Sequence, residues 1–382
     1  MGRGRGGVVV KGAAGAVAAL LLAAGCSSPS TPSAPSSPPT ASAPPSSPSS
    51  SPSPTATAAR VRVLGTLTRD LKSPWGLVEL PGGDLLVSSR DERTITRVDA
   101  RTGRKTSLGE VPGVVPGGEG GLLGLALRDG RLYAYLTSAT DNRIVRMRYG
   151  GGAGDRLGKP EPVLTGIPKG LVHDGGRIAF GPDGMLYAGT GETGRTGLAQ
   201  DRGSLGGKIL RMTPEGRPAP GNPFPGSVVW SYGHRNVQGL AWDADGRLWA
   251  SEFGQDTWDE LNLIEPGRNY GWPVVEGRAG RAGYTDPVAQ WPTDEASPSG
   301  IAYARGAIWL AALRGQRLWR VPLSGAERSG EPRAFLKGEY GRLRTVLATA
   351  GGTRLWLVTN ETDTRGTPEP GDDRILRLEV SP

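Results

Sequence analysis

Arg177-Ile-Ala-Phe-Gly-Pro-Asp-Gly-Met-Leu-Tyr-Ala188 places short apolar runs on both sides of a Pro-Asp-Gly turn. A run of that length with every second side chain apolar makes a strand, and Asp-Gly supplies the conformation that folds it back on itself. The same phrase returns as Gly239-Leu-Ala-Trp-Asp-Ala-Asp-Gly-Arg-Leu-Trp-Ala250, as Gly76-Leu-Val-Glu-Leu-Pro-Gly-Gly-Asp-Leu-Leu-Val-Ser88, and over residues 122–136, 300–311 and 344–358. Each copy closes with a similar strand: Ile95-Thr-Arg-Val98, Ile144-Val-Arg-Met147, Ile209-Leu-Arg-Met212, Leu261-Asn-Leu-Ile264, Leu318-Trp-Arg-Val321 and Ile375-Leu-Arg-Leu378. Repeats of about 45 to 60 residues with about four strands each predict an all-β six-bladed β-propeller of four-stranded antiparallel blades, in which ring closure removes exposed sheet edges. A sandwich or a solenoid is the alternative, and the repeat length suits neither well.

Outward from the repeats the chain changes character. Arg3, Arg5 and Lys11 flank an apolar stretch over residues 12–24, followed by Leu22-Ala23-Ala24-Gly25-Cys26, which contains the only cysteine. This is the pattern of a signal peptide over residues 1–25, too short for a membrane span, and the cysteine after small residues resembles a bacterial lipobox with Cys26 as the lipidated residue. Residues 27–59 are Ser, Pro, Thr and Ala alone, which predicts an extended spacer without a core. The expected organisation is a signal peptide over 1–25, a lipidated cysteine and linker over 26–59, and a propeller over 60–382, held outside the cell at the outer face of the cytoplasmic membrane by lipid on Cys26. Loss of Arg3, Arg5 and Lys11 with the signal takes the formal charge from +8 to about +5. No basic run interleaved with aromatics points to nucleic acid.

The loops that break the repeat carry the candidate chemistry. The two histidines lie in loops that lead into strand repeats, His173 in Leu171-Val-His-Asp-Gly-Gly and His234 in Ser231-Tyr-Gly-His-Arg-Asn-Val-Gln-Gly239. Equivalent loops of a propeller converge on one face, and an imidazole there suits a general base. For each the alternative is a structural histidine bonded to neighbouring backbone. Arg235 and Asn236 offer donors for a carboxylate or a developing oxyanion. Arg342 and Arg344, two apart on a strand, share a face and can aim at one anion, with Arg314 joining from the neighbouring blade. The stretch 251–263, read as a long loop, and residues 267–273 gather carboxylates, amides and glycine carbonyls, hard oxygen ligands of the kind calcium accepts.

Together Gly118-Glu-Gly-Gly-Leu-Leu-Gly124, residues 173–184, Gly233-His-Arg-Asn-Val-Gln-Gly-Leu240, Asp259-Glu-Leu-Asn-Leu-Ile264, Asn269-Tyr-Gly-Trp-Pro273 and Arg342-Leu-Arg344 resemble the quinoprotein glucose and aldose dehydrogenases, also called the sorbosone dehydrogenase family. These are six-bladed propellers that use pyrroloquinoline quinone (PQQ) and calcium. The resemblance implies an oxidoreductase that converts aldose sugars to lactones and passes electrons to an external quinone, cytochrome or dye. It makes His173 the base that takes the anomeric proton and sets Arg235 and Asn236 beside the quinone carbonyls. Glu119, Arg314, Arg342 and Arg344, with Trp291 and Thr293, fall at cofactor-binding positions, the backbone carbonyls of Gly254 and Gln255 at a calcium beside the cofactor, and Asp259, Glu260 and Tyr270 at a further calcium. Three departures stand out: Glu119 replaces a usual Gln, Arg314 a usual Lys, and Val172 the Asp that precedes the base in the glucose enzyme. Two other readings compete, a calcium-dependent lactonase, which would need acidic ligands at the channel axis, and a non-catalytic propeller that binds glycans or proteins.

Overall fold

The computed structural model describes residues 59–150 and 156–382, so Cys26 and most of the spacer lie outside the described residues. Six four-stranded antiparallel sheets follow one another as blades, with one extra two-residue strand at the edge of the fifth. The first blade runs Pro74–Glu79, Leu85–Ser89, Thr94–Val98 and Lys105–Glu110. The second is Leu122–Arg128, Arg131–Thr137, Asn142–Arg148 and Glu161–Ile167, and the third Ile178–Phe180, Leu186–Gly189, Lys208–Met212 and Val229–Tyr232. Val237–Trp242, Leu248–Glu252, Trp258–Ile264 and Ala289–Pro292 make the fourth. The fifth has Pro298–Ala304, Ala307–Ala312 and Arg317–Ser324, with its outer place divided between Glu327–Arg328 and Arg333–Phe335. In the sixth, Leu343–Ala348, Arg354–Thr359 and Ile375–Val380 are completed by Val61–Thr68, which pairs in register from Val61 opposite Val380 to Thr68 opposite Ile375. The ring is therefore closed by a strand from before the first blade, and that closure was not part of the sequence reading.

Every copy of the repeat forms the inner two strands of one blade, and its closing phrase the third. Among the described residues the only helical element is a single 3-10 turn, Thr196–Ala199. The expected long loop over 251–263 is mostly strand: Leu248–Glu252 and Trp258–Ile264 pair directly, leaving residues 253–257 as the loop. Alternation, broken by the polar residues of 254–257, resumes at Trp258.

Alternation also explains why the strands are apolar on both faces. Leu186 and Ala188 pack into one core cluster, toward the second blade, while Tyr187 between them joins another, toward the fourth. Likewise Trp309 and Ala311 face the sixth blade, while Ile308, Leu310 and Ala312 face the fourth. Trp249 and Trp309 are fully buried between blades, where truncation of such a side chain costs about 3–5 kcal/mol. Near the axis the blades meet backbone to backbone. A Cβ on Gly76 would lie 2.5 Å from the Leu123 carbonyl oxygen, and one on Gly239 2.4 Å from that of Ser299. Only glycine fits there, and the inner strands bulge beside it, which brings their leading ends to one small central space.

Candidate active site

The leading ends of the inner strands and the loops beside them surround a cavity on the axis, lined by residues of all six blades: Trp75 and Arg90, Glu119, Asp174 and Gly175, Gln238 and Phe253, Leu313, then Arg342, Arg344, Asp363 and Arg365. Its charge is mostly guanidinium. Arg342 and Arg344 share one face of their strand and both reach Asp363 Oδ2, at 2.8 and 3.3 Å. Arg344 also donates to Asn360 Oδ1 at 3.0 Å. Beneath them Arg177 lies 4.3 Å from the Trp75 ring centre and donates to the Gln238 carbonyl and Thr345 Oγ1. Burial pushes Arg177 down to about 9, with Arg344 adding repulsion, and burial lowers Arg344 to about 10. Four arginines line the space against three carboxylates, Glu119, Asp174 and Asp363, with Arg177 buried beneath, and this excess of cations favours an anion.

His173 immediately precedes Asp174 and Gly175, which line this cavity. Its loop turns back on itself with φ at 55°. Three contacts fix it: its N–H donates to Glu119 Oε2 at 2.8 Å, its carbonyl accepts from Thr193, and its Nδ1 pairs with Glu192 Oε1 at 2.5 Å. With Glu192 accepting at Nδ1, the ring carries its proton there and Nε2 keeps a lone pair. Among the described residues Nε2 has no hydrogen-bond partner. Glu192 is itself buried and held because Gly191 lets the backbone pass the His173 carbonyl, which a Cβ would approach to 1.9 Å. The loop after Glu192 is tied down by Lys208, fully buried, whose Nζ donates to the carbonyls of Leu198, Ala199 and Gly206. Burial lowers that ammonium to about 7. Asp174, next to the base, accepts from Asn142 Nδ2 and the Gly170 N–H, and burial raises it to about 6.

His234 has the opposite surroundings. It is fully buried, with Nε2 on Ser231 Oγ at 2.8 Å, Nδ1 on Glu252 Oε2 at 2.7 Å and its ring stacked on Tyr270. Its neighbours are the open ones. Glu252 also accepts the Arg235 N–H, and Asn236 Oδ1 accepts from Gly175 and Gln238. That leaves Arg235 Nε and Asn236 Nδ2 as buried donors with no partner among the described residues.

The fourth-blade loop wraps a carboxylate: Glu276 Oε1 accepts the N–H groups of Gln255, Asp256, Thr257 and Trp258. Asp259 accepts from Gly254 and Ser297, and burial raises it to about 7. Glu260, raised by burial and by Glu252, accepts from Gly277 and Asn262. Tyr270 uses its hydroxyl on Leu263 and Glu265. Asp259, Glu260 and Tyr270 thus spend their polar atoms on the loop itself, and among the described residues no group of three or more His, Cys, Asp or Glu is arranged to hold a metal ion. The carbonyl oxygens of Gly254 and Gln255 accept no hydrogen bond from the described residues.

One further expectation is corrected. Trp291, on the outer strand of the fourth blade, packs against Trp319 in the core between blades and does not line the cavity. The alternation of Ala289–Pro292 points it inward to that core. Thr293 lies in the turn after that strand. Arg314 is exposed and lines a polar groove beside the cavity with Arg342 and Arg365.

The glucose/sorbosone dehydrogenase family model matches residues 71–368, which cover five blades and the two inner strands of the sixth. The chain belongs to the glucose/sorbosone dehydrogenase family. A solved structure of the PQQ-bound form of aldose sugar dehydrogenase from Streptomyces coelicolor is 70% identical, covering 85% of this chain and 99% of its own, with a TM-score of 0.83. Aldose sugar dehydrogenase of Escherichia coli is 31% identical over 329 residues, 76% of this chain and 88% of that protein. Quinoprotein glucose dehydrogenase B of Acinetobacter calcoaceticus is 32% identical over 253 residues, 56% of this chain, and the match spans 53% of that protein's length.

Proposed function

We propose that this chain oxidises the anomeric hydroxyl of aldose sugars to lactones with PQQ and calcium, and that an external acceptor then takes the electrons. The observation that carries the reading is an axial cavity lined by Arg90, Arg342, Arg344 and Arg365, whose wall includes Asp174 and Gly175, next in the chain to His173 with its free Nε2, and Phe253, which it shares with the adjoining pocket lined by Arg235 and Gly254. A flat tricarboxylate with adjacent carbonyls fits that donor set: Arg342, Arg344 and Arg365 would hold its carboxylates, Arg235 and Asn236 its carbonyl edge, and the carbonyls of Gly254 and Gln255 a calcium ion. When bound, the quinone supplies the two-electron oxidant that accepts hydride from the anomeric carbon, and calcium supplies Lewis-acid polarisation.

The protein's part is proton transfer and orientation. His173 Nε2 takes the proton of the anomeric hydroxyl, and Glu192 at Nδ1 stabilises the imidazolium that forms. Glu119 and Asp174 hold the loop that aims the ring. Arg235, largely buried, sets positive charge where negative charge grows on the acceptor, and low dielectric strengthens it. The cluster of guanidinium groups at the axis is the reverse of the acidic ligand set that a calcium lactonase needs there.

The same proposal puts the domain outside the cytoplasmic membrane, tethered through lipid on Cys26. Its support is the basic, apolar and small-residue order before that cysteine and the uncharged spacer after it. The test is titration of the purified chain with PQQ in calcium: a spectral shift, a rise in Tm and sugar-dependent dye reduction are expected. Absence of both the shift and the stabilisation would overturn the assignment.

A further inference from the structure

A groove of about 1130 Å³ lies at the ends of the strands opposite the axial cavity. It is formed by the turns that follow the inner strands of the first, fifth and sixth blades and by the strands that close the ring. Pro74–Glu79 links the two: Trp75 lines the axial cavity and Glu79 the groove, about 13 Å apart along an extended strand. Six arginines line the groove, Arg60, Arg62, Arg101, Arg305, Arg354 and Arg377, against two carboxylates, Glu79 and Glu379. Glu379 is taken by Arg62 at 2.8 Å. Arg377 lies 5.9 Å from the Trp356 ring centre, and neither it nor Arg60, Arg101, Arg305 or Arg354 pairs with a carboxylate among the described residues.

Like charges gathered in one concavity raise its potential, and an exposed guanidinium cluster of this kind is satisfied by an external polyanion. The chain offers none of its own from the adjoining segment, because residues 27–59, which lead into the groove at Arg60, carry no charge. That segment runs back to Cys26, so the end of the domain bearing the groove is also the end from which the tether leaves.

We infer that this groove docks on the phosphate headgroups of an anionic bilayer. Bound in this way, the domain would turn the axial cavity, at the other ends of the same strands, away from the lipid and toward the surrounding solution. Arginines at a surface of that kind act additively and are screened by salt, whereas a lipid chain inserts regardless of salt. The groove would thus fix orientation, with any acyl chain fixing location. This docking depends neither on lipidation nor on the proposed chemistry, and it is tested apart from both.

The test is sedimentation of the full mature chain carrying Cys26→Ser, so that no acyl group contributes, with vesicles of phosphatidylglycerol and phosphatidylcholine or of phosphatidylcholine alone. Retention is expected on the anionic vesicles only, and is expected to vanish at about 0.5 M salt. Arg101→Glu, Arg305→Glu and Arg354→Glu together should lower the partition coefficient by about a hundredfold or more. All three side chains are exposed and lie far from the axial cavity, so an unchanged Tm and unchanged PQQ binding verify that the variant is folded. Equal retention on neutral vesicles, no retention at low salt, or full retention of the triple variant would each overturn the inference, the last by placing the contact on another surface. A soluble acidic protein that binds the groove while anionic vesicles do not would overturn it in favour of a protein partner.

Discussion

The loops that lead into the third and fourth blades each present one histidine, each paired at Nδ1 with a glutamate, and the two end in opposite states. His173 keeps Nε2 free beside the axial cavity, while His234 has both nitrogens engaged and a tyrosine stacked on its ring. A single serine makes much of the difference: Ser231, three residues before His234, reaches its Nε2, whereas the corresponding stretch before His173 is Gly170-Leu-Val. The same pair of residue types gives a proton acceptor when one nitrogen faces a cavity and a strut when neither does.

Four substitutions break that comparison at successive points. His173→Ala removes the proton acceptor and should lower kcat by about 10²–10⁴-fold with PQQ affinity little changed, measured by steady-state dye reduction and by titration. Unchanged kcat would refute the role. Glu192→Gln keeps the shape but not the charge that stabilises the imidazolium, so a loss of about 10–100-fold is expected, with KM nearly constant. His234→Ala should instead act on the fold. It leaves the buried Glu252 without its partner and costs about 2–4 kcal/mol, read as a lower denaturant midpoint, and the loss of activity should follow from misplacement of Arg235. The last substitution is Asp174→Asn. Because burial raises the Asp174 carboxyl to about 6 in the fold, the native state holds its proton more tightly than the unfolded chain does. Its contribution to stability is fully present below about pH 4 and is lost as pH rises through 6. An amide oxygen can keep the bonds from Asn142 and Gly170, so the variant should gain on the parent by about 3 kcal/mol between pH 4 and 7 and no further above. A Tm difference independent of pH would contradict this account.

The blades were legible because each copy repeats a local pattern: alternation and a tight turn are properties of a dozen neighbouring residues. The arginine pair at 342 and 344 and the donors at 235 and 236 were legible for the same reason, since each pair is contiguous or nearly so. What escaped was contributed from a distance. Glu192 stands in Gly191-Glu-Thr-Gly194, where an acid between small residues was the available signal, yet its meaning depends on His173 crossing over Gly191. Arg90, Trp75 and Asp363 reach the cavity from strand ends nearly three hundred residues apart in sequence, and nothing in their local context marks them. Trp291 misled in the other direction. The resemblance set it at a cofactor-facing position, but on an outer strand alternation turns it into the core. The acidic stretch 251–263 was read as loop because carboxylates interrupt its apolar pattern, although Asp259 and Glu260 are strand residues whose charges serve neighbouring backbone.

The pairing of residues 61–68 with residues 375–380 has a temporal consequence. Joining segments more than three hundred residues apart carries a loop entropy of about 5 kcal/mol, so this contact is favourable only once most of the intervening blades stand. The axial cavity draws on all six blades, and Arg342, Arg344 and Asp363 belong to the one that this closing strand completes. A partly synthesised or partly folded chain therefore has no cavity, and capture of a ligand there marks the moment the ring is complete.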